Sequence, residues 1–471
     1  MSPNEVVSLN LHSGEYIKTL NKIGEYRYER KIRKLKVKAR SELDYHEWTK
    51  YNYAKNDYWI PLAKDTLSRI DIKQYSLQEF ITKFEKPNLP VVITGVTKKW
   101  PANKEWTKEA LLKNYGSEKF KIGEDDEGDP VYMKMKYFLR YSENEGISDD
   151  SPLYIFDSKF NGPRKKSKKS KPSSLDNEPV AKKAKLSENK HPKMNLLDDY
   201  SIPHFFEDDL FSLTGQGRRP PYRWIVIGGA RSGTGIHTDP LGTSAWNSLV
   251  FGHKRWILFP PNVPKALVDP PMKPFDREAV SWFTHVYPKF QQQSTNIPGK
   301  TLGDEHGMIE VIQRPGETMF VPGGWHHVVM NLDFTVAITQ NFCSPTNLEA
   351  VWLNTRNSRH KLARKLLKEL EQLGSTGKTC QVKNLSAYPP KYFRELALLI
   401  HSLEFVPSLC PSSDSSSSSS TSSSESEDIP VSDTSSETDG SDGECRCCKC
   451  KRKRKRAAIR KSNLLQAHYL S

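Results

Sequence analysis

From Tyr222 to Phe342 the large apolar residues fall in short runs that alternate with polar ones. Gly, Pro or Asn punctuates the runs: "YRWIVIGG", "SAWNSLVFG", "KRWILFPP", "GMIEVIQ", "ETMFVPGG", "WHHVVMNL" and "TVAITQNF". Strand-length runs at this spacing, with turns but no long helices between them, predict an antiparallel sandwich or barrel. The expected architecture is a jelly roll (double-stranded β-helix), so the fold class is mostly β. Ahead of it, residues 59–160 mix helical stretches ("SLQEFITKFEKP", "TKEALLKNYG") with short strands ("PVVITGV", "KFKIGED"), an α+β texture. Beyond Ser344 the period changes to that of amphipathic helices over 344–408, "LEAVWLNTRNSRHKLARKLLKELEQLG" and then "KYFRELALLIHSLEFV". Their apolar stripe must pack on the barrel or on a second copy of the chain, which leaves a homodimer open.

Composition narrows where the core can lie. Only 36% of the 471 residues are hydrophobic, and charge and serine are concentrated in a few stretches, so one sizeable core with disordered segments is expected. Residues 1–58 form a basic N-terminal arm or helix; its stretch "YERKIRKLKVKARSELDYHEWTKYNY" reads equally as a solvated helix or a contact surface. Residues 161–195 carry eleven basic side chains against three acidic ones and little that is large and apolar. Burial there cannot offset the entropy of ordering, so a disordered basic insert is expected between 59–160 and the jelly-roll core at 196–343. The tail, 409–471, is read the same way: from Ser412 to Glu444 it holds nine acidic residues and no basic one, and "KRKRKRAAIRK" follows. The four thiols of Cys445–Cys450 lie closer together than the usual paired zinc ligands, and an inert tail is the expectation, with acylation or metal binding as the alternatives.

The net charge of +15 points to an acidic partner, RNA above all. Basic clusters at Arg164–Lys171, Lys182–Lys185 and Lys451–Arg456 read as nuclear-import signals, which places the chain in the nucleus. All seven cysteines lie at or after Cys343, so no disulfide framework holds the core and a reducing compartment fits. Neither a signal peptide nor an uninterrupted apolar span is visible, and the expectation is a soluble intracellular protein without a membrane partner.

The chemistry is concentrated in two runs. In "GTGIHTDPLGTSAWN" His237 and Asp239 are two apart; on one strand they share a face, with Thr238 pointing away. Two imidazoles and one carboxylate on one side of Fe(II) leave positions open for an oxoacid and dioxygen. The second imidazole comes from "PGETMFVPGGWHHVVMNL". Alternation there groups Trp325, His327, Val329 and Asn331 on one face and turns His326 to the other, so His327 is the expected ligand. Lys254 alternates with Trp256 and Leu258, which projects its ammonium from an apolar inner face. The reading that competes with catalysis is a non-catalytic RNA or chromatin scaffold; a scaffold gains nothing from inward ligands and an inward lysine.

"RPPYRWIVIGGARSGTGIHTDPLGTSAWNSLVFGHKRWILFPP" and "PGETMFVPGGWHHVVMNLDFTVAITQNF" resemble the JmjC Fe(II)/2-oxoglutarate oxygenases, most closely their lysyl hydroxylase and arginine demethylase branch. The similarity runs from about Arg30 to Phe405 and includes "SPLYIFDS" and "FFEDDLF". It implies His237, Asp239 and His327 as iron ligands. It also implies Lys254, Asn247, Thr339, Tyr154 and Thr234 around 2-oxoglutarate or the adjoining substrate pocket, with O2 as co-reactant. Alternation separately puts Thr339 and Asn341 on one face of the last strand. The resemblance further implies lysyl 5-hydroxylation of Arg/Ser-rich splicing proteins or histone tails, with arginine demethylation as the lesser activity. The chain departs from the pattern in the length of its basic insert, in His326 where Trp is usual, and in its C-terminal tail.

Overall fold

The computed structural model describes Tyr16 and residues 24–59, 65–160, 195–272, 277–376, 380, 382 and 385–403. The basic insert up to residue 194 and everything from residue 404 onward, including the three basic clusters, the serine-rich tract and Cys445–Cys450, lie outside the described residues. In chain order the described strands are β1 (Arg69–Asp71), β2 (Val91–Thr94), β3 (Lys119–Glu124), β4 (Pro130–Lys134), β5 (Ile155–Asp157), β6 (Arg223–Gly228), β7 (Gly233–His237), β8 (Ser244–Phe251), β9 (Lys254–Phe259), β10 (Ile309–Gln313), β11 (Thr318–Val321), β12 (His326–Asn331) and β13 (Thr335–Phe342).

Seven of these strands form one sheet in the order β1-β2-β11-β8-β13-β6-β5, four form a second in the order β10-β9-β12-β7, and β3 pairs with β4. The chain passes repeatedly from one sheet to the other, and the pairs within the segment from β6 to β13 are antiparallel, which is the winding of a jelly roll. From residues 59–160, β1 and β2 lengthen one edge of the large sheet and β5 the other.

Alternation explains which side chains meet. Val92, Met319 and Val321 of the large sheet close on Trp256, Leu258, Val311 and Val329 of the small one, and together with Trp325 they form the interior between the sheets. Trp246, Phe320, Ile338 and Phe342 point out of the large sheet into the N-terminal layer. Ile257, Phe259, Val328 and Met330 point out of the small sheet toward the helix Ala279–His285.

The N-terminal basic stretch forms a docked helix, α1 (Glu25–Ala39), because Tyr28, Ile32, Leu35 and Lys36 fall on one side and are buried. Lys36 Nζ meets Asp149 Oδ1 at 2.7 Å with both side chains 3% exposed. Beyond the core, the helical run expected after Ser344 breaks at Arg359 into α2 (Leu348–Ser358) and α3 (His360–Thr376), with α4 (Pro390–Ser402) following. Their apolar stripes meet one another and Leu210, Phe211 and Cys343 of the barrel side. No helix among the described residues is long and apolar enough to cross a membrane.

Candidate metal centre

β7 and β12 lie side by side, and their register sets His237 directly opposite His327. Two residues further along β12, Val329 faces Thr234, so three residues of β7 span two of β12. This bulge turns both Thr234 and His237 inward, although a spacing of three would place them on opposite faces of a regular strand. The glycines of "GTGIH" make the close approach feasible: a Cβ on Gly233 would lie 2.0 Å from Val329 O, and one on Gly235 would lie 2.2 Å from Arg277 O. Asp239, expected on the same strand as His237, lies beyond it. β7 ends at His237, and Asp239 precedes the short turn Pro240–Gly242. Its backbone is still extended, φ −64° and ψ 146°, so the two-residue alternation carries through and the carboxylate keeps the face of His237.

One ligand atom from each of His237, Asp239 and His327 lies within 4.8 Å of the others. The imidazole centroids are 4.2 Å apart. His237 Nδ1 lies 2.8 Å from Gly235 O and His327 Nδ1 lies 3.1 Å from Trp325 O, so both Nδ1–H groups donate to backbone and the Nε2 lone pairs remain for a metal. Asp239 as a residue is partly exposed, yet its Oδ2 is out of solvent with no hydrogen-bond partner. Burial pushes the Asp239 carboxyl up, and burial together with the neighbouring His237 holds His327 well below the usual imidazole range. Two imidazoles, at least one of them held neutral, facing an unsatisfied carboxylate are the donor set of a divalent cation, whose charge would restore the carboxylate. The two-histidine, one-carboxylate set with open positions is the one that suits Fe(II). His326 is turned to the other face, opposite Phe259, and takes no part in the cluster.

Lys254 opens β9 just after Gly252, which takes φ +79° in the turn. Only 2% of it is exposed, and burial pulls its ammonium down to about 7. Its Nζ donates to Asn331 Oδ1 at 2.7 Å, and Asn331 Nδ2 donates to Ser232 Oγ at 2.9 Å. An ammonium carries three donors, so a buried one resting on a neutral amide still has capacity for an anion. Tyr154, beside β5, is hydrogen-bonded to Thr234 of β7, bridging the edges of the two sheets, and burial pushes its hydroxyl up to about 12. Asn247 and Thr339 face each other across β8 and β13. Asn247 Oδ1 is buried without a partner, and Thr339 Oγ1 donates to Trp246 O at 2.9 Å.

Three partners escaped the sequence reading. Asn331 orients Lys254. Asn341 touches Asp239 and donates from Nδ2 to Thr243 Oγ1 at 3.0 Å. Gln313 accepts from Trp256 Nε1 at 2.9 Å, and that indole stacks on His327 with centroids 6.0 Å apart. The first two share faces with His327 and Thr339, and a polar residue on a buried face requires a partner; that signal was present in the alternation.

The cupin-like domain family matches residues 76–347. The bifunctional arginine demethylase and lysyl-hydroxylase psr-1 of Caenorhabditis briggsae is 44% identical over 350 residues, 73% of this chain and 79% of that protein. The arginine-specific demethylase JMJ22 of Arabidopsis thaliana is 36% identical over 315 residues, 65% of this chain and 52% of that one. The 2-oxoglutarate and iron-dependent oxygenase JMJD4 of Mus musculus is 28% identical over 298 residues, 59% of this chain and 61% of that one. With the jelly roll and the His-Asp-His cluster in place, the chain belongs to the cupin-like JmjC family of iron- and 2-oxoglutarate-dependent oxygenases.

Proposed function

We propose that this oxygenase hydroxylates lysine side chains in Arg/Ser-rich splicing regulators and histone tails, and removes N-methyl groups from arginine as its lesser reaction. The observation that carries the reading is the 44% identity to a relative named for both activities. Iron, 2-oxoglutarate and dioxygen supply the oxidising chemistry that replaces a C–H bond by C–OH. The chain's own work is placement. His237, Asp239 and His327 hold the metal from one side, with each imidazole fixed by its backbone carbonyl. Lys254, oriented by Asn331, is the cation for the far carboxylate of 2-oxoglutarate. Asn247, Thr339, Tyr154 and Thr234 are the polar groups assigned to the cosubstrate or the adjoining substrate. Trp256, Leu258 and Val329 exclude water around them.

Oxygen placed on a side-chain carbon stays as an alcohol, whereas oxygen placed on an N-methyl carbon leaves as formaldehyde. The deciding experiment is mass spectrometry of a lysine-containing Arg/Ser peptide and a methylarginine histone peptide after incubation with enzyme, iron and 2-oxoglutarate. A gain of one oxygen on lysine is expected; loss of methyl from arginine without that gain would reverse the order. The basic clusters support a nuclear site of action and engagement of RNA phosphates without sequence preference.

A further inference from the structure

The loop that carries Asp239 is built unlike the strands it joins. Leu241 holds a left-handed backbone, φ 60° and ψ 15°, which side chains with a Cβ avoid. Gly242 follows at φ 69°, and a Cβ there would lie 2.9 Å from Asn354 Nδ2 and 3.2 Å from Ala350 O, so α2 presses directly on the turn. Asn347, just before α2, donates from Nδ2 to Ser244 Oγ at 3.0 Å and fastens the far end of the loop. The Leu241 side chain packs against the apolar cluster of α2, α3 and α4. A leucine stays in such a backbone only where its surroundings over-determine it, and these surroundings are the C-terminal helical layer. Two residues earlier, the Asp239 carboxylate is hydrogen-bonded by Asn341, while its Oδ2 has no partner. The backbone on either side must share the work of aiming it.

We propose that Leu241 is a positioning residue for the metal, transmitting the packing of the C-terminal helices to the Asp239 carboxylate. The inference rests on Asp239 being a metal ligand. Metal affinity then depends on a side chain that never meets the metal, and on helices outside the jelly roll.

The test is titration of the full-length chain with Mn(II), following the signal of the free ion by electron paramagnetic resonance, with folding checked by circular dichroism. Leu241→Ala and Leu241→Gly should both weaken Mn(II) binding by roughly ten- to a hundredfold, the range usual for groups that orient metal ligands. Leu241→Met, which keeps volume and apolarity, should bind close to the parent. The glycine variant relieves the left-handed backbone, so it remains informative where alanine fails to fold. Leu111→Ala, buried in the N-terminal layer away from these helices, should lower thermal stability without that loss of affinity. Parent-like binding by Leu241→Gly, or an equal loss in Leu111→Ala, overturns the proposal. Asp239→Ala separates the two readings: if it binds Mn(II) like the parent, the metal assignment itself fails, whereas its loss beside intact Leu241→Gly refutes the positioning role alone.

Discussion

Asp239 sets the terms at the scale of single residues. A carboxylate out of water with no donor on Oδ2 destabilises the fold that holds it until a cation arrives. Asp239→Ala should therefore abolish 2-oxoglutarate turnover while leaving the metal-free chain at least as stable as the parent, by about 1–3 kcal/mol in urea unfolding. Retained turnover would refute the assignment. Lys254 gives the complementary case. Its pKa of about 7 lies below the ordinary 10.5, so the free enzyme must take up a proton to hold a carboxylate above neutrality. Affinity for 2-oxoglutarate should fall as pH rises past that point, by up to about tenfold per unit, and Lys254→Met should remove the dependence along with most of the affinity. Anaerobic calorimetry between about pH 6 and pH 9 measures it. For folding the sign is opposite: the unfolded chain keeps this lysine charged, so its destabilising effect is full below pH 7 and shrinks as pH climbs toward 10.5.

At the scale of elements, what alternation can express was legible and what breaks alternation was not. The runs around Trp256 and His327 declared their inner faces because a half-buried strand repeats every two residues, and the metal cluster followed. The bulge in β7 was invisible, since one extra residue leaves no mark in a short Gly-rich run; Thr234 reached the candidate site by resemblance alone. The docking of α1 was obscured by its charge: Tyr28, Ile32 and Leu35 form the stripe, but Lys36 beside them reads as solvated until Asp149 comes from over a hundred residues away to meet it. That pair makes a prediction. Lys36→Met strands a buried carboxylate and should cost about 3–5 kcal/mol of stability, whereas Lys36→Met with Asp149→Asn should recover much of it. Urea unfolding of the two variants and the parent decides.

The whole molecule pairs a folded oxygenase with long charged stretches whose composition, rather than whose structure, suggests their use. Neutralising Arg164–Lys171, Lys182–Lys185 and Lys451–Arg456 together should move a fluorescent fusion from nucleus to cytoplasm and flatten the salt dependence of RNA binding; a fusion that stays nuclear returns the signal to the basic side of α1. The first two clusters lie between Phe160 and Asn195. Phe160 and Leu196, which flank that segment, are both buried in the same N-terminal core cluster, so both ends of the insertion are anchored in one layer of the fold. Closing such an excursion grows harder only with the logarithm of its length, about 0.6 kcal/mol for each doubling. That junction is a port where a lineage can acquire, lengthen or discard a regulatory segment, and where an engineer can insert a reporter domain, with the catalytic half of the molecule left to evolve on its own schedule.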